Sequence, residues 1–493
     1  MHVNRKSDKG VVPRKLLNDG IKKISEEKVE GRPLTEGNTE QSATCRTQGR
    51  VNVSSGLEGV RKRARLDKDL KFTALLHHVT LFQLMESYSA LKPNAKPGVD
   101  EMTWKEYGKA LANNLQNLYK RIHTGCYRAL PSKRCYIPKA DGKQRALGVA
   151  SLEDKIVQHA IATVLNAIYE TDFMGFSYGF RPKRSAHDAL DAVAMGMKIK
   201  RVNWVLDADI QGYFDNINHE WLQRFLRYRI ADKRILRLIT KWLKAGVLEG
   251  DKWEATTKGC PQGSVISPLL SNIYLHYVLD LWVEAYRKRE AKGDVLIVRF
   301  ADDFILGFEH HWEAKKFLTQ LKERFNKFGL QLHEQKTKLI QFGRFAVKHC
   351  KARADKKPGT FEFLGFVHIC SETRIKHNFV VKRQTSKKRM RKTLQAIKSE
   401  LMKRRHAPVV QTGNWLKKVV QGYFNYFAVP GNLGILNGFR REVCRYWLHS
   451  LRRRSQRSRM IWGKLAKLVN IFIPSVKRIH GYPHERFNVR YAQ

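Results

Sequence analysis

Short apolar runs punctuate this chain at strand length. Val295–Phe300 and Phe304–Phe308 are dominated by Val, Ile, Leu and Phe and enclose Ala301-Asp302-Asp303. That texture predicts a hairpin of two strands with adjacent acids at its tip. A second run, Val202–Leu206, predicts a strand ending at Asp207-Ala208-Asp209, followed by a Gly-containing turn, Ile210-Gln211-Gly212-Tyr213-Phe214-Asp215. Helical spacing dominates elsewhere. Apolar residues at Phe72, Leu75, Leu76, Val79, Phe82 and Met85 predict an amino-terminal helix containing His77 and His78. No Cys or carboxylate stands at ligand spacing from those histidines, so zinc is not expected there. Met390, Leu394, Ile397 and Leu401 predict a helix with one packed face. Lys388, Arg389, Lys392 and Arg404 are left for phosphate, the alternative being a solvated charged face.

Residues 1–65 are rich in Gly, Ser, Lys and Glu and end in Arg61-Lys-Arg-Ala-Arg65, which reads as a flexible basic arm. Texture changes again near residue 370, and between 371 and 410 basic residues greatly outnumber acidic ones. The whole chain carries 93 Lys and Arg against 45 Asp and Glu, a formal net charge of +48. So much like charge calls for a polyanionic partner, with nucleic acid the obvious one. At 493 residues with 42% hydrophobic content the chain can bury substantial cores, which favours a multidomain enzyme over a small histone-like binder. The 7 cysteines show no Cys-x-x-Cys pair, so neither a disulfide scaffold nor structural zinc is expected. No apolar run approaches the roughly 18 residues that span a bilayer, and a soluble protein is expected.

Carboxylates at a strand end and a hairpin tip suit one chemistry. Nucleotidyl transfer uses two Mg2+ ions roughly 4 Å apart to activate a 3′-hydroxyl and stabilise the leaving pyrophosphate, and hard Mg2+ prefers carboxylate oxygen. A lone Asp-Asp pair also occurs in ordinary solvated turns. The two segments together, Asp209 to Asp215 and Phe300 to Asp303, resemble the palm of reverse transcriptases of the bacterial group II intron type. Further blocks match that family in order: residues 97–104, Tyr136-Ile-Pro-Lys139 with Arg145-Ala-Leu-Gly148, Phe180-Arg-Pro-Lys-Arg-Ser185, Gly259-Cys-Pro-Gln-Gly263, Gly329-Leu330 to Lys336-Thr337, and Phe363-Leu-Gly-Phe366. The likeness covers roughly residues 68–490. One departure is Phe300, where the family's commonest active-site box begins with Tyr.

The resemblance implies an α+β, right-hand polymerase fold. Fingers and palm with an amino-terminal extension would occupy 66–370, a helical thumb and maturase region 371–450, and a basic segment for DNA or RNA 451–493. It implies that Asp209 and Asp302 hold two Mg2+ ions with help from the Ile210 carbonyl, and that Asp303 is an adjacent catalytic acid; Asp207 competes for the ligand role. Lys139 and Arg145 would clamp the triphosphate, Phe214 would exclude a ribose 2′-hydroxyl, Gln262 would touch the incoming nucleotide, and Lys336 would assist pyrophosphate departure. Arg181, Arg184, Lys388, Arg389, Lys392, Arg404, Arg452, Arg453, Arg454 and Arg457 are the expected nucleic-acid contacts. Tyr423 and Phe424 fit core packing better than base stacking. Implied partners are a structured intron RNA, an RNA template with DNA primer and target DNA, in a bacterial, cytoplasmic, nucleoid-associated ribonucleoprotein; a homodimer is left open. No paired-cysteine cluster follows the maturase-like stretch, so a His-Asn-His endonuclease is not expected. The competing readings are a defence-associated reverse transcriptase of the same descent and a splicing-only maturase.

Overall fold

The computed structural model describes residues 56–138, 144–352, 357–373, 377–456 and 458–491. Residues 56–66 form helix α1, because Leu57, Val60 and Ala64 recur on one face and are buried while Arg61, Lys62, Arg63 and Arg65 face water. The arm expected over 1–65 is corrected at that end, and its residues 1–55 lie outside the described ones. The apolar spacing from Phe72 to Met85 is not one helix either. The Asp232 carboxylate accepts the amides of Leu75 and Leu76 at 2.8 and 3.1 Å, a 3-10 turn follows at Leu76–His78, and the Thr80 side chain caps a fresh helix, α2 (Leu81–Ala90). The break shifts the helical phase, so that Leu84 and Tyr88 are buried and Met85 is exposed.

Helices α3 (Trp104–Lys109) and α4 (Leu111–His123) lead to strands β1 (Ser132–Pro138) and β2 (Gln144–Val149), an antiparallel pair that sets Ile137 opposite Arg145. Helices α5 (Leu152–Asp172) and α6 (Ala186–Ile199) start at side-chain caps from Ser151 and Ser185. Then come β3 (Trp204–Ala208), α7 (Tyr213–Asn216), α8 (His219–Arg227) and α9 (Lys233–Lys244). Strands β4 (Val247–Glu249) and β5 (Lys252–Glu254) complete a 4-stranded sheet of order β2-β1-β4-β5. Helix α10 (Ser267–Leu275) continues through a π turn, His276–Asp280, into α11 (Leu281–Arg289). Strands β6 (Val295–Phe300) and β7 (Asp303–Phe308), helix α12 (His311–Lys327) and strand β8 (Lys338–Gln341) follow. They build the second 4-stranded sheet, order β6-β7-β3-β8, antiparallel throughout.

Beyond α13 (Ala346–Ala352), strands β9 (Phe361–Phe363), β10 (Phe366–Glu372) and β11 (Phe379–Thr385) make a 3-stranded sheet. The helical region comprises α14 (Lys387–Lys403), α15 (Val409–Phe427), α16 (Leu433–Arg452), α17 (Trp462–Phe472) and α18 (Pro483–Tyr491). The fold is thus α+β with a helical carboxy-terminal region. The boundaries expected at 370 and 450 fall inside β10 and α16, where a cut would break a ladder or a helix. Residues after 450 join the helical layer through α17 and α18.

The palm sheet is covered on both faces, which explains why its strands are continuous apolar runs. Val295, Ile297, Phe304 and Leu306 enter one core beside α5, α8 and α10. Leu296, Val298 and Ile305 enter a second, which also contains Leu394, Ile397 and Leu401 of α14 and Phe424 of α15. Tyr423 and Phe424 are buried there, as core residues.

Two histidines in that second core predict an acid sensitivity. Burial, with the nearby Arg383 cation, pushes His368 down to about 3; burial and the neighbouring His480, Arg486 and Arg383 do the same to His187. The unfolded chain protonates them near 6.5, so the stability they carry is complete above that pH and falls as pH drops towards 3. Each should contribute a slope of about 1.4 kcal/mol per pH unit. Denaturant titration of wild type and His368→Leu at pH 7, 6 and 5 should show the variant's relative stability rising by about that slope below pH 6.5; parallel curves would refute the assignment.

Candidate active site

The register of β6 against β7 runs from Val295 opposite Phe308 to Phe300 opposite Asp303, so Ala301 and Asp302 form a tight turn between paired strands. Ala301 sits at φ 57°, a left-handed conformation that an L-residue adopts only when its surroundings impose it. The surroundings are dense. The Tyr178 amide donates to the Arg299 carbonyl at 2.8 Å and the Arg299 amide to Phe176 at 2.9 Å, laying segment 176–179 along β6. Gly179 is the only residue type that fits this approach, since a Cβ there would lie 2.3 Å from the Ala301 nitrogen.

Beneath the turn lies a charged side chain inside an apolar run. Arg299 Nη1 donates to the Ala301 carbonyl at 3.0 Å and to Asn272 Oδ1 at 2.9 Å, while Asn272 Nδ2 donates to the Gly179 carbonyl at 2.7 Å. Its Nε and Nη2 reach the Asp280 carboxylate at 2.7 and 2.5 Å, and both side chains are 0% exposed. Asp280 ends the π turn, whose extra residue re-aims the side chains that follow it. Sequence reasoning passed over both residues, although an arginine within Val295–Phe300 was the signal.

Strand β3 pairs with β7 up to Ala208 opposite Phe304, which brings Asp209 level with Asp303. Past the strand, Ile210 bridges to Leu332: the His333 amide donates to the Asp209 carbonyl and the Gln211 amide to Gln331, both at 2.8 Å. That pairing leaves the Ile210 carbonyl outside the ladder. Gly212, at φ 52°, then turns the chain into α7. The acids crowd one another. Burial raises the Asp302 carboxyl, and Asp209 adds to the shift while Arg145 and Arg299 oppose it. Burial and then Asp302, Asp209 and Asp207 push Asp303 up to about 7, and burial, Asp209 and Glu362 bring Asp207 to about 6. Lys336 Nζ donates to Asp209 at 2.7 Å. Carboxylate and carbonyl oxygens with this surplus of negative charge suit a hard divalent cation, although among the described residues no three His, Cys, Asp or Glu side chains stand close enough to enclose an ion.

Two hollows follow, the second of them lined by the acids. A cleft of about 340 Å³ is lined by Phe214, Gln262, Arg134, Ala146 and Lys258. It is held by bonds from the Gly148 amide to the Gln262 carbonyl, 2.7 Å, and from the Cys260 amide to the Phe214 carbonyl, 2.8 Å. A groove of about 500 Å³ is lined by Asp209, Asp303, Glu362, Gly365, Arg389 and Ala186. Arg145 acts on Asp302 from β2, whereas Lys139 lies outside the described residues.

The expected nucleic-acid contacts divide. Lys388, Arg389, Lys392, Arg452 and Arg453 are exposed, and Arg184 is half-buried with a bond to the Gly175 carbonyl. Arg181 is corrected. Its guanidinium is buried, paired with Glu170 at 2.6 Å and bonded to the carbonyls of Met174 and Ser177, so it braces segment 174–181 instead of reaching phosphate. Arg404 is engaged by Glu400 at 2.7 Å and lies over the Trp415 ring, and Arg454 holds the carbonyls of Arg405 and Ala407. Arg457 lies outside the described residues.

Residues 137–368 match the family model described as reverse transcriptase (RNA-dependent DNA polymerase). Protein YkfC of Escherichia coli (strain K12) is 35% identical, over 49% of this chain and 72% of its own length. Group II intron-encoded protein LtrA of Lactococcus lactis subsp. cremoris is 31% identical over 45% of this chain and 47% of its own, so the chain spans about half of that relative. Nuclear intron maturase 2, mitochondrial, of Arabidopsis thaliana is 27% identical over 29% of this chain and 25% of its own.

The buried pair makes a prediction about the turn. Arg299→Met leaves the buried Asp280 without its guanidinium, with His276 Nδ1 4.0 Å away, and should cost about 3–5 kcal/mol. Adding Asp280→Leu should restore most of that, yet the Ala301 carbonyl stays without its donor. Amide exchange at Ala301 to Asp303 should therefore remain faster than wild type in the double variant; wild-type protection there would show that Arg299 does not hold the turn.

Proposed function

Because this chain belongs to the reverse transcriptases and maturases of group II introns, we propose that it copies an RNA template into DNA from a primer 3′ end and also binds its intron RNA to assist splicing and mobility. The supporting observation is the convergence of Asp209, Asp302 and Asp303 at one end of the palm sheet; Phe214 and Gln262 line a common cleft.

Membership of this family implies a divalent metal. Asp209, Asp302 and the Ile210 carbonyl are the groups that would hold Mg2+, taken here as two ions, which when bound lower the pKa of the attacking hydroxyl and neutralise charge on the leaving pyrophosphate. Asp303, with its raised pKa, tunes the charge of the cluster. Arg145 brings a cation over Asp302 from the fingers and orients the triphosphate. Phe214 lines the nucleotide cleft with an apolar ring, which offers no hydrogen-bond partner to a ribose 2′-hydroxyl and would exclude it by shape. Gln262 lines the same cleft and would touch the incoming nucleotide. Lys336 neutralises Asp209 before substrate arrives and is placed to follow the departing pyrophosphate.

The exposed face of α14, with Lys388, Arg389 and Lys392, and the end of α16, with Arg452 and Arg453, are the surfaces assigned to the duplex and to structured RNA. Nucleic acid is the partner class; the intron RNA, the template with its primer and the target DNA are the proposed members. Among the described residues no helix is long and apolar enough to cross a membrane. A ribonucleoprotein working on the bacterial nucleoid fits these partners.

Primer extension on an RNA template with dNTPs and Mg2+ tests the reading. Wild type should extend the primer and Asp302→Ala should not, with RNA affinity changed less than twofold because no phosphate contact is removed; extension by Asp302→Ala would refute the ligand assignment. Phe214→Ala should weaken discrimination against ribonucleotides by roughly one to two orders of magnitude. Unchanged sugar selectivity would rule out the steric gate.

A further inference from the structure

The segment after α17 does not trail off as a basic tail. Arg440 of α16 holds its start by donating to the Pro474 carbonyl at 2.9 Å, and the amides of Ile479 and His480 both donate to the Ala428 carbonyl at 3.1 and 3.2 Å. From there the chain crosses to the palm. The His480 ring stacks on His187 at 3.7 Å between centroids, its Nε2 donating to the Asn425 carbonyl at 2.7 Å and its Nδ1 accepting from Arg486 at 3.4 Å. Arg486, on α18, lies 3.6 Å from Asp188 and 3.4 Å from Asp191, both on α6, and Phe487 beside it is buried in the second core. Asp191 is also paired with Arg383 of β11 at 2.8 Å.

The placement of α6 gives these contacts a consequence. Its first residue, Ala186, lines the same groove as Asp209 and Asp303, and the groove is also lined by Gly365, between β9 and β10, and by Arg389 of α14. A link between α6 and the carboxy-terminal elements therefore bears on the shape of that groove. We infer that residues 473–487 are a strap that ties the thumb to the palm and fixes the width of the primer–template groove, with Arg486 as its positioning residue. This rests on the polymerase reading for its consequence in synthesis, but not for its consequence in holding a duplex.

The geometry dictates which change matters. Arg486 is the second cation for two nearly buried carboxylates, of which Asp188 already spends one oxygen capping α6 through Ser185. Without the guanidinium the strap loses its ion pairs to both acids, while Asp191 keeps Arg383, so this attachment to α6 is released. Lysine can reach the same acids with one charge but cannot serve both and His480 together.

The test compares wild type, Arg486→Gln, Arg486→Lys and Asp191→Asn on an RNA template annealed to a DNA primer. Dissociation of the hybrid is measured directly, and extension is followed with a heparin trap. In Arg486→Gln the hybrid should leave at least fivefold faster and the length copied per encounter should fall several-fold, while kcat for adding one dNTP stays within twofold. Arg486→Lys should recover part of both. Asp191→Asn, which removes one acid and keeps the cation, should behave like Arg486→Gln in direction. A folded Arg486→Gln protein with wild-type hybrid dissociation overturns the strap, as does a fall in single-addition kcat equal to the fall in copied length. If wild type binds the hybrid with the expected variant order but adds no nucleotide, the polymerase reading fails and the strap stands.

Discussion

The hairpin that carries Asp302 and Asp303 depends on an arginine that never meets solvent. Arg299 lies under it, bonded to the Ala301 carbonyl on one side and to Asp280 on the other. A two-residue turn whose first residue is an alanine at φ 57° has no intrinsic reason to persist. Arg299 supplies the reason, together with the chain at Gly179 pressed against the turn. The interaction is better understood as placement than as net stability. Desolvating an arginine and an aspartate in the same interior cancels much of their attraction. What the pair secures is the position of Asp302 and Asp303 relative to Asp209, which is delivered by a different strand.

The second dependence runs through the palm sheet itself. Because alternate residues of β6 and β7 enter opposite cores, the sheet is a wall shared by the amino-terminal helices and the thumb. Helix α14 packs Leu394, Ile397 and Leu401 into the core that Leu296, Val298 and Ile305 enter from the sheet. A shift of the thumb is thus felt at the catalytic strands through close-packed side chains, which transmit strain because they leave few voids. The acids are located from below by charge and from behind by packing.

How legible this was depends on range in sequence. The strands and their terminal acids could be read because the apolar runs are uninterrupted and the carboxylates stand where the runs stop, which is local information. The α14 stripe was legible for the same reason, and Leu394, Ile397 and Leu401 are buried. The stretch from Phe72 to Met85 has an equally good helical period, yet Asp232, far along the chain, takes two of its amides and a threonine cap resets the phase. Arg181 was expected to meet nucleic acid because it stands in the Phe180-Arg-Pro-Lys-Arg-Ser185 block; Glu170 of α5 claims it. The residues after 450 read as a basic segment on the strength of Arg452-Arg-Arg-Ser-Gln-Arg457, a reading that says nothing of α18. Its attachment is to aspartates on α6, nearly three hundred positions away, and no local pattern announces such a contact.

The same logic revises the meaning of the net charge of +48. Arg181, Arg229, Arg299 and Arg383 are buried, and each faces a carboxylate from another element: Glu170, Asp172, Asp280 and Asp191. Each such pair withdraws one cation and one anion together, so the net charge left for the surface is unchanged while the acids left to offset its cations are fewer. The clamps have a common form: a guanidinium, flat and permanently charged, bridges a carboxylate and, for Arg181, Arg229 and Arg299, backbone carbonyls. Lysine could balance the charge at those three sites but not the geometry. A buried acid that loses its arginine is an uncompensated charge costing about 3–5 kcal/mol, whereas loss of both partners can be nearly neutral. The fold can spare such a pair as a pair, but the hairpin turn cannot spare Arg299, because that guanidinium also reaches the Ala301 carbonyl.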